Sequence, residues 1–317
     1  MDLRKSVTVC VLIIALSSCV SGPANAPSAT AKLPPLSSLI DEIRPSIVQV
    51  QSTFPKNVSS GTGFFINRNG DVVTANHVIH PPGMIGEPTE IKILVRIPTI
   101  QSQQLTMLSS FTGHRAVVKA TDLTHDIVVL GIVGTSPFTK PTVIVHTPQN
   151  DLVEKLDVSK LSEPLPKDGQ SIFISGYPLS LPTLITTSGF IASSDPIAFE
   201  GELPHMQVSD VLWADIQANH GNSGGPVFSA TNGDVVGMVV SVKVAPVEFT
   251  DGTQAPPLGV QWVDKDHSVL HPIGYNAGIA IIIPTKYITA LLRSQNIPFN
   301  DLQSGHSDKD QRDKEQH

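Results

Sequence analysis

The sequence predicts an all-β domain closed by one short helix at each end. Three observations carry this. From Ile47 onward the apolar residues fall in short runs rich in Val and Ile, the composition that favours strands. Turn residues punctuate the runs, including the hairpin dipeptides Asn69-Gly70 and Asn232-Gly233. Helical spacing of apolar residues appears only near the two ends of this region. Such a pattern belongs to barrels or sandwiches, and periodicity alone does not separate them.

Taken in order, Ser37 or Ser38 is expected to cap a helix that places Leu39, Ile40 and Ile43 on one face and stops before Pro45. A first group of strands is expected at Ile47–Val50, Gly63–Ile66, Val72–Thr74, Ile91–Ile97, Val117–Ala120 and Ile127–Ile132. A Pro-rich polar stretch, 134–168, divides it from a second group. That group is Ile172–Ile174, Thr183–Ala192, Val211–Ile216, Pro226–Phe228, Val235–Val242 and Gly278–Ile283. Residues 285–294 read as a terminal helix capped by Thr285, with Tyr287, Ile288, Leu291 and Leu292 on its apolar side. From 296 to 317 the chain reads as a polar tail, mixed in charge towards its end and expected to be disordered.

The 317 residues carry a net charge of −7 with no basic stripe, which excludes a nucleic-acid surface. The N-terminus has a different character. Charged Arg4 and Lys5 precede the apolar run Val7–Leu16. That run is shorter than the roughly 20 residues needed to cross a bilayer and fits the core of a secretory signal. Leu16-Ser17-Ser18-Cys19 resembles a bacterial lipobox, which implies a signal peptide over 1–18 and acylation of Cys19. Pro, Ala and Ser then dominate a flexible tether, 19–36. Of the two cysteines only Cys19 would survive processing, so no internal disulfide is expected.

Three motifs carry chemistry. In Gly221-Asn222-Ser223-Gly224-Gly225-Pro226, glycines around a serine let the backbone turn its N–H groups into an anion-binding cup. The expected donors are the N–H groups of Gly221 and Ser223. A serine hydroxyl needs a base, and Thr74-Ala75-Asn76-His77-Val78 supplies His77 after a strand. His125-Asp126-Ile127-Val128-Val129-Leu130 opens another strand with Asp126. Each of the last two is ordinary alone. Together they stand in the chain order His, Asp, Ser of the chymotrypsin arrangement.

On these motifs the chain resembles the trypsin-like serine peptidases, in particular the bacterial HtrA (DegP-like) branch. The resemblance covers about residues 37–290. It extends to Ser60-Gly61-Thr62-Gly63-Phe64, Gly176-Tyr177-Pro178, Thr187-Ser188-Gly189 and Asn276-Ala277-Gly278-Ile279-Ala280-Ile281. It implies two six-stranded antiparallel barrels, about 45–150 and 165–284, within a peptidase domain of 37–295. It also implies a catalytic triad of His77, Asp126 and Ser223 that cleaves protein or peptide substrates. By position, Gln217, Ala218 and the strand residues Val239, Val240 and Ser241 would line the substrate pocket. With Gln217 at the pocket base, a small or aliphatic side chain is expected before the scissile bond. No metal or cofactor is expected: His77 and His80 are three apart, without an HExxH motif or a cysteine cluster.

Three departures accompany the resemblance. His220 stands where the branch commonly has Pro, no PDZ domain is expected after the peptidase, and a Pro- and Gly-rich insertion with Trp262 occupies about 244–275. His125 is expected to tune its neighbour Asp126 or to serve as a turn residue. A lipid-anchored peptidase of the bacterial envelope is the leading functional expectation. Val20 is not the acidic residue that tends to retain lipoproteins in the inner membrane, so the periplasmic face of the outer membrane is the expected address. The competing expectation is a catalytically lapsed peptidase fold that binds partners or acts as a chaperone.

Overall fold

The computed structural model describes residues 33–96, 101–102, 105–106, 111–139, 143–146, 151–153, 156–195, 199–200, 207–208, 211–246, 262–264, 267–269 and 274–299. The expected signal peptide, Cys19 and most of the expected tether lie outside the described residues, as does the chain from 300 onward.

Strands β1 (Ile47–Thr53), β2 (Val58–Phe65), β3 (Asp71–Ala75), β4 (Glu90–Arg96), β5 (Phe111–Asp122) and β6 (Ile127–Ile132) close a first barrel in the order β1-β2-β3-β6-β5-β4. Strands β7 (Ser171–Gly176), β8 (Ile185–Ser193), β9 (Leu212–Asp215), β10 (Pro226–Ser229), β11 (Val235–Pro246) and β12 (Gly274–Pro284) close a second, in the order β7-β8-β9-β12-β11-β10. The two barrels thus repeat one topology, and every pairing within them is antiparallel. The expected runs all became barrel strands, and closure resolves the barrel-or-sandwich question. Closed barrels leave no sheet edge to protect.

The second barrel explains why several of its strands, though not the mostly exposed or half-buried β8, lack a polar face. Ile172, Ile174, Leu212, Ala214, Val227, Ala280 and Ile282 fill its interior. The alternating Phe173, Phe228, Met238, Ile281 and Ile283 point the other way and join one cluster with first-barrel residues such as Val48, Phe64 and Val129. Strands buried on both faces read as continuous apolar runs. Helix α3 (Thr285–Ser294) seals the seam: its Ile288 and Leu292 are wholly buried in the same cluster.

Helix α1 (Leu36–Ile43) buries Leu39 and Ile43, as its spacing predicts, but its N-cap is Pro35 rather than Ser37 or Ser38. The N-cap of α3 is likewise Pro284, not Thr285, whose hydroxyl instead donates to the Val235 carbonyl at 3.1 Å. In both cases an extended proline without a side-chain acceptor starts the helix, and at α1 its carbonyl accepts the Ser38 N–H at 3.0 Å. The start of the expected tail is folded. Asn67 Nδ2 donates to the Pro298 carbonyl at 2.6 Å, while Ile297 and Phe299 pack on the core.

The stretch 134–168 ties the barrels together. Phe138 packs edge-on against Phe65 at 5.0 Å, Ser159 N–H donates to the Phe65 carbonyl at 2.9 Å, and Val235 N–H donates to the Lys160 carbonyl at 2.8 Å. The insertion grows from the second barrel itself: β11 and β12 stay paired as far as Pro246 and Gly274, and a short antiparallel pair, Trp262–Asp264 with His267–Val269, lies within it. Among the described residues no helix is long and apolar enough to cross a membrane.

Candidate active site

His77 and Asp126 are brought together by neighbouring strands. Strand β3 pairs with β6, with Ala75 opposite Ile127. His77 follows β3 on the single-turn helix α2 (Asn76–Ile79), pinned by the buried Val78 and Ile79. Asp126 directly precedes β6 and adopts a left-handed backbone, φ 56°. That conformation is uncommon for L residues, though aspartate is among those that tolerate it best. Three contacts lock the two motifs. Asn76 N–H donates to the Asp126 carbonyl at 2.8 Å, His77 N–H donates to Asp126 Oδ1 at 2.8 Å, and His77 Nδ1 meets Asp126 Oδ2 at 2.5 Å. The Asp126 side chain is only 8% exposed and that of His77 is 20% exposed, so the pair is shielded from water except at the outer ring edge. A carboxylate at Nδ1 fixes the tautomer and leaves Nε2 to accept a proton.

Ser223 arrives from the second barrel on the turn between β9 and β10, and that turn is docked onto β2. Thr62 N–H donates to the Ser223 carbonyl at 2.9 Å. The Thr62 hydroxyl donates to the Gly221 carbonyl at 2.6 Å and accepts the Tyr177 N–H at 3.0 Å. Glycine is required on either side of the serine. Gly221 has φ 95°, and a Cβ there would lie 2.4 Å from the Tyr177 carbonyl; Gly224 has φ 79°, and a Cβ there would lie 2.1 Å from Thr74 Oγ1. The turn is stitched to β11 as well, Gly224 N–H donating to the Val239 carbonyl at 2.8 Å. The N–H groups of Asn222 and Gly225 are used within this turn and that of Gly224 on β11, whereas those of Gly221 and Ser223 meet no acceptor among the described residues. Neither the Ser223 hydroxyl nor His77 Nε2 makes a hydrogen bond among the described residues.

Other expected site residues fall around this turn. Gln217 is exposed, and its carbonyl accepts the Thr187 hydroxyl at 2.8 Å. Ala218 and Val239 are buried in the second barrel's interior cluster. Val240 is buried in the cluster shared with the first barrel, and Ser241 is half-buried. His220 is exposed, with its carbonyl accepting the Leu179 N–H at 2.6 Å. Two positioning residues were given no such role by the sequence. Thr62 clamps the serine turn, and Asn276 donates to the Ala218 carbonyl and, at 3.3 Å, to Asn219 Oδ1. Both lie in segments of the resemblance, but their partners are far away along the chain.

Comparison with known proteins agrees with the fold. The family model described as trypsin-like peptidase domain matches residues 61–238. Serine protease HTRA4 of Mus musculus is 25% identical over 223 residues, covering 68% of this chain and 38% of that protein. Serine protease HTRA2, mitochondrial, of Bos taurus is 24% identical over 300 residues, covering 92% of this chain and 57% of that protein. Serine protease PepD of Mycobacterium tuberculosis is 24% identical over 250 residues, covering 75% and 48%. The chain therefore spans between about a third and three fifths of the length of these relatives. Among solved structures, the HtrA-type protease AlgW with a tripeptide superposes with a TM-score of 0.51 at 17% identity, covering 82% of this chain and 63% of that one, a likeness of fold. The family model begins on the strand that clamps the serine turn and ends on the strand to which that turn is stitched. By that match the chain belongs to the trypsin-like peptidase family.

Proposed function

We propose that the protein is a serine endopeptidase of the HtrA type, with His77, Asp126 and Ser223 as its triad. The observation that carries this is the bonded His77–Asp126 pair of the first barrel, together with a second-barrel serine turn that is docked on β2 and β3 and whose Gly221 and Ser223 N–H groups lack acceptors among the described residues. In this reading His77 Nε2 takes the Ser223 proton as the hydroxyl attacks the substrate carbonyl. The oxygen of that carbonyl becomes an oxyanion between the Gly221 and Ser223 N–H groups. His77 then gives the proton to the leaving amine, and water, deprotonated by the same ring, releases the acyl group. Asp126 holds the ring and stabilises its cation. The free hydroxyl suits an unliganded site, in which catalytic hydrogen bonds tighten only around substrate. Val240 and Ser241, on the strand stitched to the turn, would line the pocket with Gln217, Ala218 and Val239. A pocket without Asp or Glu favours small or aliphatic side chains.

The test is labelling by a fluorophosphonate together with hydrolysis of an unfolded protein. Wild type should take the label at Ser223 and cleave; Ser223→Ala should do neither while melting like wild type. Cleavage at the wild-type rate by Ser223→Ala would overturn the reading. The proposed setting is the bacterial envelope, with envelope or unfolded proteins as substrates and an acyl group on Cys19 as the anchor. Mass spectrometry of the mature N-terminus should find that lipid; a free terminus beginning at any later residue refutes the anchor.

A further inference from the structure

Beside the His77–Asp126 pair stands a second pair of the same type. His125 Nδ1 meets Asp122 Oδ2 at 2.5 Å, and His125 N–H donates to Asp122 Oδ1 at 3.3 Å. The other face of the ring is covered by Tyr287 of α3, stacked at 3.7 Å with the planes 20° apart. Lys286 Nζ lies 4.8 Å from the centre of the Tyr287 ring. The His125 side chain is 18% exposed, although the turn that bears it projects outward: Leu123 is 57% exposed.

We propose that His125 is a positioning residue for Asp126, acting through the Asp122 carboxylate and the Tyr287 ring to hold the catalytic aspartate against His77. The proposal rests on the peptidase reading above for its consequence, but not for its geometry. The turn between β5 and β6 is held at its ends, by the pairing of Asp122 with Ile127 and by the bonds that join Asp126 to Asn76 and His77. Its own backbone bond, from Asp126 N–H to the Leu123 carbonyl, is long at 3.4 Å. Asp126 sits at φ 56°, where an L residue is strained, and relaxation to negative φ would swing its carboxylate away from His77. What opposes that relaxation on the N-terminal side is His125, bonded to the start of the turn and stacked on a helix anchored by Ile288 and Leu292. Because α3 follows the second barrel in the chain yet packs on β5 of the first as well as on β11 and β12, the stack also ties the aspartate's turn to the other half of the molecule. Asp122 orients His125 as Asp126 orients His77, but His125 itself touches no reacting atom.

The experiment compares wild type with His125→Ala, His125→Asn and Tyr287→Ala in the full chain. Asn can present an amide N–H to Asp122 where the ring presents Nδ1, so it serves as the conservative variant. Two readouts are taken. The first is the downfield proton resonance of His77 Nδ1–H in its bond to Asp126, assigned by its loss in His77→Ala; it requires no turnover. The second is kcat and KM on a peptide substrate. His125→Ala should lose or broaden the resonance and lower kcat on the order of tenfold or more, with KM within about twofold. Tyr287→Ala should follow in the same direction, and His125→Asn, which keeps the bond to Asp122 but not the stack, should recover part of both readouts. The proposal is overturned if His125→Ala keeps the wild-type resonance, whatever its activity, or if kcat and KM change only in step with melting temperature. Wild-type protein that neither takes a fluorophosphonate nor cleaves would instead refute the peptidase reading, and the resonance comparison would still decide the role of His125.

Discussion

Gly224→Ala tests whether the serine turn works because it is pressed onto the first barrel. The added Cβ would lie 2.1 Å from Thr74 Oγ1, 2.3 Å from the Thr62 carbonyl and 2.7 Å from Ala75 N, at φ +79°. Ordinary contact needs about 3.4 Å, so the turn must retreat by roughly 1 Å, taking Ser223 with it. Two costs add. Left-handed backbone in an L residue costs about 1–2 kcal/mol, and forcing a methyl into a filled contact costs about 1–3 kcal/mol. Gly83→Ala separates them: Gly83 has φ +81°, but a Cβ there would meet nothing within 4 Å. Urea denaturation should therefore place Gly83→Ala about 1–2 kcal/mol below wild type and Gly224→Ala about 1–3 kcal/mol lower still. Peptide hydrolysis should be near wild type in Gly83→Ala and at least about 10²-fold slower in Gly224→Ala, since a 1 Å misplacement of a catalytic group has that effect. Equal stability of the two variants, or a Gly224→Ala kcat within threefold of wild type, would refute the claim that contact with Thr62 and Thr74 sets the position of Ser223.

The clamp can also be weakened without a clash. Thr62→Val keeps the shape but strands the Tyr177 N–H and the Gly221 carbonyl, which should lower stability by about 2–4 kcal/mol in denaturant and slow peptide hydrolysis. Stability unchanged in Thr62→Val would remove the hydroxyl from the account. A third change reads burial through pH. Burial pushes the Tyr177 phenol up to about 12, against the pull of Arg96 and Arg44. Above pH 10 the unfolded chain releases that proton while the folded chain keeps it, so stability falls as pH rises from 10 towards 12. The Tyr177 share of the loss should be about 1.4 kcal/mol by pH 11. Tyr177→Phe should lack that share, so its stability relative to wild type should rise between pH 9 and pH 11; a difference independent of pH would refute the assignment.

The apolar runs made the barrels legible because most barrel strands are buried on at least one face. Ile127–Ile132 was bounded correctly because its first five residues are fully buried or nearly so. Strand β5 was seen only at Val117–Ala120, whereas it spans Phe111–Asp122. Its burial is sparse and a bulge falls between Val118 and Ala120, so no clean alternation marks it. Helix caps were misread for a local reason: Ser37, Ser38 and Thr285 lie within the first three residues of their helices, and the residue before each helix is an extended proline with no side-chain acceptor. In the site, His77, Asp126 and the glycines beside Ser223 each stand in a recognisable local motif. What positions them is not local. Thr62 meets Gly221, Asn276 meets Ala218, and Tyr287 covers His125 across the seam between barrels, contacts no run of neighbouring residues can announce.

The repeated strand order has a consequence for how the molecule comes of age. Each barrel closes on itself, so each can gather its own strands before meeting the other. In the proposed reading neither holds a whole site: the base and its carboxylate belong to the earlier-synthesised barrel, the nucleophile to the later one. On that reading hydrolytic power arrives last, at the moment Thr62 receives the serine turn. A nascent chain with one finished barrel is then inert towards itself and its neighbours, a safeguard that lies in the architecture.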